Sequence, residues 1–386
     1  MNKKTIITAM LALVTLTGQG QVHYRLEGNI GDSTITEKAL VKDMYNNRGI
    51  IDTVNIVKGI IEPVEGELPD TTICALFIGN MPEGKVIYLD RYLYPVFLGG
   101  GTTVIDGRTM RHPFLKGTTI CEDYTVFRKK ESEVRTKWQR EQILKFIGNP
   151  GDSTLADIGR EQTEQIAKTA KEIISRHTSD MLGLYLLHEG ATKYLSPSTW
   201  LELYSKMEPW LKTKPEYNMS IIKSRMEKSI KTSEGTMFVD MEAEVDGHIC
   251  RLSDYVGKGR YVLAEFWGST CPPCLSQIPK LNNIYKKYKE RGLTVLGIAV
   301  YEDAEKTRRA IKKHGITYPQ LLNTQKQASS KYGILGTPYS ILFAPDGTIL
   351  ARGLHGEDLE KKLTEIFETK KNQELENLGL RPYVSN

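Results

Sequence analysis

Cys271-Pro272-Pro273-Cys274 sits where the periodicity of the chain changes, and that junction constrains the fold more than any other feature. Before it, Tyr261–Trp267 is an apolar run interrupted only by Glu265, the pattern of a buried strand. After it, residues 275–291 place apolar side chains at helical spacing. Two cysteines on the first turn of a helix that follows a strand form a dithiol able to exchange electrons. The N–H groups at the helix start favour the thiolate of Cys271, and Cys274 lies one turn on, within reach of a disulfide. The competing readings are a static disulfide or half of a metal site. A zinc site needs two further ligands at suitable spacing, and Cys250, His248, His314 and His355 are unpatterned. The redox reading is therefore adopted, with neither metal nor cofactor expected.

A chain of 386 residues suggests two or three domains. Lys3 and Lys4, the apolar run 6–16 and then Gly18-Gln19-Gly20 describe a secretory signal peptide over residues 1–20. The run falls short of the roughly 20 apolar residues of a membrane-spanning helix, although a retained anchor is the alternative. No Cys follows it to carry a lipid. The expectation is a periplasmic or otherwise exported protein with no stable membrane span after cleavage. A net charge of +5 is too weak a bias to imply nucleic acid. Outside the cytoplasm disulfides persist, so the dithiol would meet oxidised partners. Cys74 and Cys121 either pair or do not, since nothing in the sequence reports their separation. Cys250 reads as a small buried hydrophobe.

Periodicity then divides the chain. Residues 21–125 read as an all-β module, with short alternating strands at 75–78, 85–89 and 94–98 and Gly and Pro between them. Residues 126–235 read as a helical connector. Its helical pattern begins at Glu131, with further helices at 161–177, 179–189, 199–211 and 220–229, and Pro150, Pro197, Pro209 and Pro215 at or near their ends. From 236 to 369 the order becomes strand, strand, motif strand, helix, strand, helix, strand, helix, strand, strand, helix. Asp246-Gly247 and Asp346-Gly347 mark hairpins. The last helix spans 357–368, and residues 370–386 form a polar tail.

Residues 236–369 resemble the thioredoxin fold, and within it the exported TlpA/ResA-like thiol-disulfide oxidoreductases. The resemblance is carried by Leu252-Ser253-Asp254-Tyr255, Glu265-Phe266-Trp267, the Cys271–Cys274 motif, Pro279, Gly336-Thr337-Pro338 and Asp346-Gly347. The fold class is thus multidomain: an N-terminal all-β module, a central helical connector and a C-terminal α/β thioredoxin-like domain. The resemblance implies protein dithiol or disulfide substrates and an upstream thiol donor. It carries no statement of oligomeric state.

Each matched residue has an expected part. Cys271 is the attacking thiolate and Cys274 resolves the mixed disulfide. Glu265 stands where the fold keeps a buried acid beneath the dithiol, placed to relay a proton to or from Cys274. Its alternative is an edge residue facing water. Pro338 occupies the position of a cis-proline that turns the Thr337 backbone toward the active-site sulfur, to pair with an extended substrate. Trp267 is grouped with these substrate-side residues, packing beside the motif rather than reacting. Two departures are Thr270, where many relatives carry Trp, and Gln277, where ResA-like members carry an acid. A specialised role in cytochrome maturation is therefore not assigned.

Other motifs are set aside. Residues 79–85 imitate a phosphate loop, but Val86 replaces its Ser or Thr and the segment reads as a hairpin turn. His188-Glu189 lacks the second histidine of a zinc protease. A peroxidase would need Thr three residues before its Cys, where Gly268 stands. The expectation is an enzyme that reduces or exchanges disulfides in exported proteins. The alternatives are a binding or adhesion module with a regulatory dithiol, and a thiol peroxidase.

Overall fold

The computed structural model describes residues 21–45, 49–79, 92–109, 112–148, 160–214, 217–300 and 304–377. The expected signal segment 1–20, the strand at 85–89 and most of the turn at 79–85 lie outside the described residues. Two compact units are present. The first comprises the described residues of Met1–Val134, Glu164–Leu195 and Leu203–Met219, and the second those of Arg135–Thr163, Ser196–Glu202 and Ser220–Asn386.

The first unit holds eight strands: β1 (Val22–Asn29), β2 (Glu37–Asp43), β3 (Ile50–Val57), β4 (Ile60–Leu68), β5 (Thr72–Ile78), β6 (Tyr92–Leu98), β7 (Gly101–Thr109) and β8 (His112–Lys116). They form one sheet in the order β6-β5-β2-β3-β4-β1-β7-β8. Every pair is antiparallel except β1 with β7. Alternation sets the faces: Ala39 and Val41 on β2 and Val54 and Ile56 on β3 point inward, while β5 is buried along its whole length. The two edge strands approach each other, with His112 Nδ1 3.0 Å from the Tyr94 carbonyl oxygen.

Helices follow at α1 (Thr119–Gly148), α2 (Arg160–Arg176), α3 (Met181–Tyr185) running into a π-turn at Leu186–Gly190, α4 (Pro197–Lys206), α5 (Pro209–Lys212) and α6 (Met219–Lys231). Helix α1 starts well before the expected Glu131. The Thr118 hydroxyl accepts the Cys121 N–H at 3.2 Å as an N-cap, and the buried Cys121, Tyr124 and Phe127 give the first turns a strand-like composition. Tyr124 packs edge-on against Phe97 at 5.5 Å between centroids, which ties the helix to the sheet. Cys74 and Cys121 are both buried and neither is in a disulfide, so the possible bridge between them does not form. The Cys121 sulfur instead lies 3.6 Å from the Thr103 hydroxyl, and burial pushes its thiol upward.

One ionisable group deep in this unit is fully partnered. His177 Nδ1 lies 2.6 Å from Asp180 Oδ2, and its Nε2 lies 2.8 Å from Asp123 Oδ2. Burial alone would lower its pKa, but the hydrogen bonds to Asp180 and Asp123 outweigh it and the net shift is upward. Asp180 also caps α3, its Oδ1 accepting from the Leu182 and Gly183 N–H groups.

The second unit carries a hairpin of β9 (Glu242–Val245) and β10 (His248–Arg251). Asp246 and Gly247 turn it with φ of 55° and 78°, the type I′ geometry expected of that dipeptide. Cys250 is half-buried and packs on the core behind it. A five-stranded sheet follows, built of β11 (Tyr261–Trp267), β12 (Leu293–Ala299), β13 (Gln320–Leu321), β14 (Tyr339–Phe343) and β15 (Ile349–Arg352) in the order β13-β12-β11-β14-β15. Strands β11, β12 and β13 run parallel, while β14 and β15 are antiparallel. Helices α7 (Pro272–Tyr288), α8 (Ala304–His314), α9 (Gln327–Tyr332) and α10 (Gly356–Asn377) complete the order read from the sequence. The last helix continues to Asn377 rather than ending at 368.

Successive residues of β11 feed opposite cores. Val262, Ala264 and Phe266 pack with Leu296, Ile298, Tyr332 and Phe343 on one face. Leu263 packs with Leu281 and Ile284 of α7 and with Leu363 and Phe367 of α10 on the other. Helix α6 belongs to this unit. A Cβ at Gly333 would fall 2.0 Å from the Arg225 carbonyl oxygen, so only glycine, at φ +67°, admits the close approach of α6 there. Arg352 closes the same junction. Its Nη1 donates to the Thr232 carbonyl at 2.5 Å and to the Thr232 hydroxyl, and its Nη2 donates to the Tyr332 carbonyl at 2.7 Å. One cation thereby serves the C-terminal ends of α6 and α9, the negative poles of both helix dipoles.

Candidate active site

Strand β11 ends at Trp267, and the chain turns through Gly268, Ser269 and Thr270 to deliver Cys271 as the N-cap of α7. Pro272 and Pro273 fill the first two helical positions, where an N–H would have no intrahelical partner, so neither ring removes a bond from the helix. The arrangement leaves the Cys274 N–H as the first donor of the helix, and it points at the Cys271 sulfur at 3.3 Å. Cys271 and Cys274 are joined in a disulfide with their Cα atoms 5.3 Å apart. The two sulfurs differ in access: Cys271 is half-exposed, whereas Cys274 is 3 % exposed and packs against Trp267 and Ala310.

Thr337–Pro338 is a cis peptide, as the resemblance implies. The Thr337 carbonyl oxygen lies 3.6 Å from the Cys271 sulfur. In the disulfide that sulfur has no hydrogen to give, so this is a contact, and a reduced Cys271 would have an acceptor there. Leu335 and Gly336 beside it are exposed, leaving open the surface around the accessible sulfur.

Glu265 is buried, 2 % exposed, and its Oε1 has no hydrogen-bond partner among the described residues. It shares the side of β11 that carries Leu263 and Trp267, beneath the helix that begins with the two cysteines. The edge-strand alternative is thereby removed, because β11 lies in the middle of its sheet. Burial pushes the Glu265 carboxyl up to about 8, which makes it a proton donor and acceptor near neutrality.

Trp267 is 2 % exposed and cannot present a face to a protein substrate. Its place is beside Cys274, with its indole N–H donating to Gln320 Oε1 at 2.9 Å. Gln320, Gly297, Tyr318 and Ser340 around Glu265 are the part that sequence reasoning missed. They come from three other strands or their approaches, and only the strand register brings them to one place. Among the described residues no group of three or more His, Cys, Asp or Glu side chains could hold a metal ion.

Residues 235–352 match the AhpC/TSA family. The chain is 32 % identical over 126 residues to a thiol-disulfide oxidoreductase ResA of Geobacillus kaustophilus, covering 32 % of this chain and 71 % of that protein. It is 29 % identical over 142 residues to a ResA of Bacillus thuringiensis, covering 35 % of this chain and 80 % of that one. Among solved structures, a thiol-disulfide oxidoreductase from Bacteroides fragilis is 32 % identical and spans 35 % of this chain and 99 % of its own, with a TM-score of 0.31.

Proposed function

Because this chain belongs to the ResA family of thiol-disulfide oxidoreductases, we propose that it reduces or exchanges disulfides in exported proteins through Cys271 and Cys274. Export rests on the leader-like residues 1–20, and the protein substrates on the access open to one sulfur alone. The observation that carries the reading is that asymmetry: an accessible sulfur at a helix N-cap joined to a buried one, above a buried carboxyl with an unpartnered oxygen.

The electron balance follows from thiol exchange. Cys271, as thiolate, attacks a substrate disulfide, forms a bond to one substrate sulfur and releases the other as a thiolate. Cys274 then attacks the Cys271 sulfur, closing the intramolecular disulfide and releasing the second substrate thiol. Two electrons pass to the substrate, and an upstream thiol donor returns them. Cys274 must lose a proton to attack, and in this reading Glu265 takes it. The N–H of Cys274 and the dipole of α7 favour the Cys271 thiolate that makes the first attack. Substrate would lie along the Thr337–Pro338 backbone, where the Thr337 carbonyl already meets the reactive sulfur.

The test is the pair of single-sulfur variants. Cys271→Ser is expected to lower disulfide reduction by at least about a thousandfold. Cys274→Ser is expected to hold a protein partner in a mixed disulfide, recovered from intact cells and released by reductant. Retention of activity in Cys271→Ser, or trapping through Cys274 instead, would refute the assigned order.

A further inference from the structure

Glu265 stands in a register row that crosses four strands: Ser340 on β14, Glu265 on β11, Gly297 on β12 and Gln320 on β13. Side chains in register leave a sheet on the same side, so these positions face the same space beneath α7. Ser340 is committed elsewhere, its hydroxyl donating to the Leu354 carbonyl at 2.5 Å. Gly297 contributes no side chain, and Gln320 uses the room. A Cβ at Gly297 would fall 2.1 Å from Gln320 Oε1 and 2.3 Å from its Nε2, so the amide reaches inward over β12 toward Glu265.

The orientation of that amide is fixed by its partners. An indole N–H only donates, so the oxygen of Gln320 must be the atom facing Trp267. The NH2 group points away, and one of its N–H bonds is taken by the Tyr318 carbonyl at 3.2 Å. The second has no partner among the described residues, and neither has Glu265 Oε1. An uncommitted donor and an uncommitted acceptor therefore stand in one row, separated by a strand without a side chain. A buried carboxyl left unpaired is costly, and the ionised form most of all, whereas Gln320 is half-buried.

We propose that Gln320 is a positioning residue for disulfide exchange: its second N–H receives the Glu265 carboxylate each time that group gives up its proton, while its oxygen holds Trp267 beside Cys274. Only a proton moves in this step, between Glu265 and the Cys274 sulfur. The proposal rests on the role given to Glu265 above. The other titratable groups on this face are Tyr318, which feels the Glu265 charge, and the two cysteines. Helix α8 brings Ala310 and Ile311 to it, and α10 brings Leu359 and Leu363, all apolar. Gln320 is thus the polar side chain poised to answer the charge.

The experiment titrates the Glu265 carboxyl by infrared or 13C spectroscopy in the full-length protein labelled at glutamate. The disulfide is kept closed so that neither sulfur titrates, and Glu265→Gln assigns the signal. Gln320→Met keeps a similar unbranched length without the donor and should move the midpoint upward from the wild-type value by about one pH unit or more. Gly297→Ala, which expels the amide from its slot, should move it the same way. An unchanged midpoint in either variant, with melting still cooperative, would overturn the role of Gln320. The role of Glu265 fails separately, if Glu265→Gln leaves turnover and its pH profile untouched.

Discussion

The two units each bury an ionisable side chain, and they treat it in opposite ways. In the first, His177 is held between Asp123 and Asp180, with both ring nitrogens in hydrogen bonds. In the second, Glu265 has an unpartnered carboxyl oxygen and lies under a dithiol. A buried charge that is fully answered fastens a structure together, whereas one left unanswered keeps its proton mobile. Both groups hold a proton more firmly in the folded chain than in the unfolded one, so both make stability fall as pH rises. For Glu265 this is a penalty on the native state at high pH. For His177 it is a contribution present at low pH and then lost.

The largest test of this contrast is Glu265→Gln. With a carboxyl raised from 4.5 to about 8, the wild type should lose stability across that window by on the order of 4 kcal/mol. The variant should lack that slope and melt later than the wild type at pH 8 and above. Denaturant melts at a series of pH values measure it, and an equal slope in both proteins would place the burden elsewhere.

Asp180→Asn probes the opposite case. Asparagine can still cap α3 through its oxygen, so the change replaces the charged acceptor facing His177 with a neutral NH2 donor. The expected loss is about 1–3 kcal/mol below pH 6.5, where the imidazole is protonated even in the unfolded chain. It should shrink as pH rises through the elevated folded value of His177. A loss independent of pH would mean that Asp180 acts through the cap of α3 and not through the charge of His177.

The smallest effect is expected for Arg176→Ala. Its guanidinium reaches Asp123 Oδ1 at 3.0 Å from the outside, with 55 % of the side chain exposed. Such a pair contributes under about 1 kcal/mol and is screened by salt. A drop comparable with that of Asp180→Asn would show that the clamp on His177 depends on its outermost member.

Much of the second unit was legible because its information is local. Apolar runs, the Asp-Gly turns and the Cys271–Cys274 junction each declare themselves within a few residues. Glu265 stood out as the one acid in an apolar strand. Gln320 and Gly297 did not, because their meaning lies in strand register, and a two-residue strand such as β13 has too little sequence to announce its neighbours. The first unit was harder for the same reason. Alternation tells which side of a strand is buried but not that β1 lies parallel to β7. The buried aromatics at the start of α1 imitated a strand, which displaced the expected helix start from Thr119 to Glu131. Trp267 was located correctly as a neighbour of the motif, yet its burial removes it from the substrate surface.

The cradle made by Arg352 bears on where the catalytic machine begins. Its guanidinium also stacks over the ring of Tyr339, 5.6 Å from the centroid, and Tyr339 directly follows Pro338. The last stretch of the connector thus leans, through a single side chain, on the loop that faces the reactive sulfur. A fragment cut at residue 236 would strip away the Thr232 groups that this arginine serves and leave its half-buried charge with the Tyr332 carbonyl. The last contiguous segment of the second unit begins at Ser220, a whole helix ahead of residue 236.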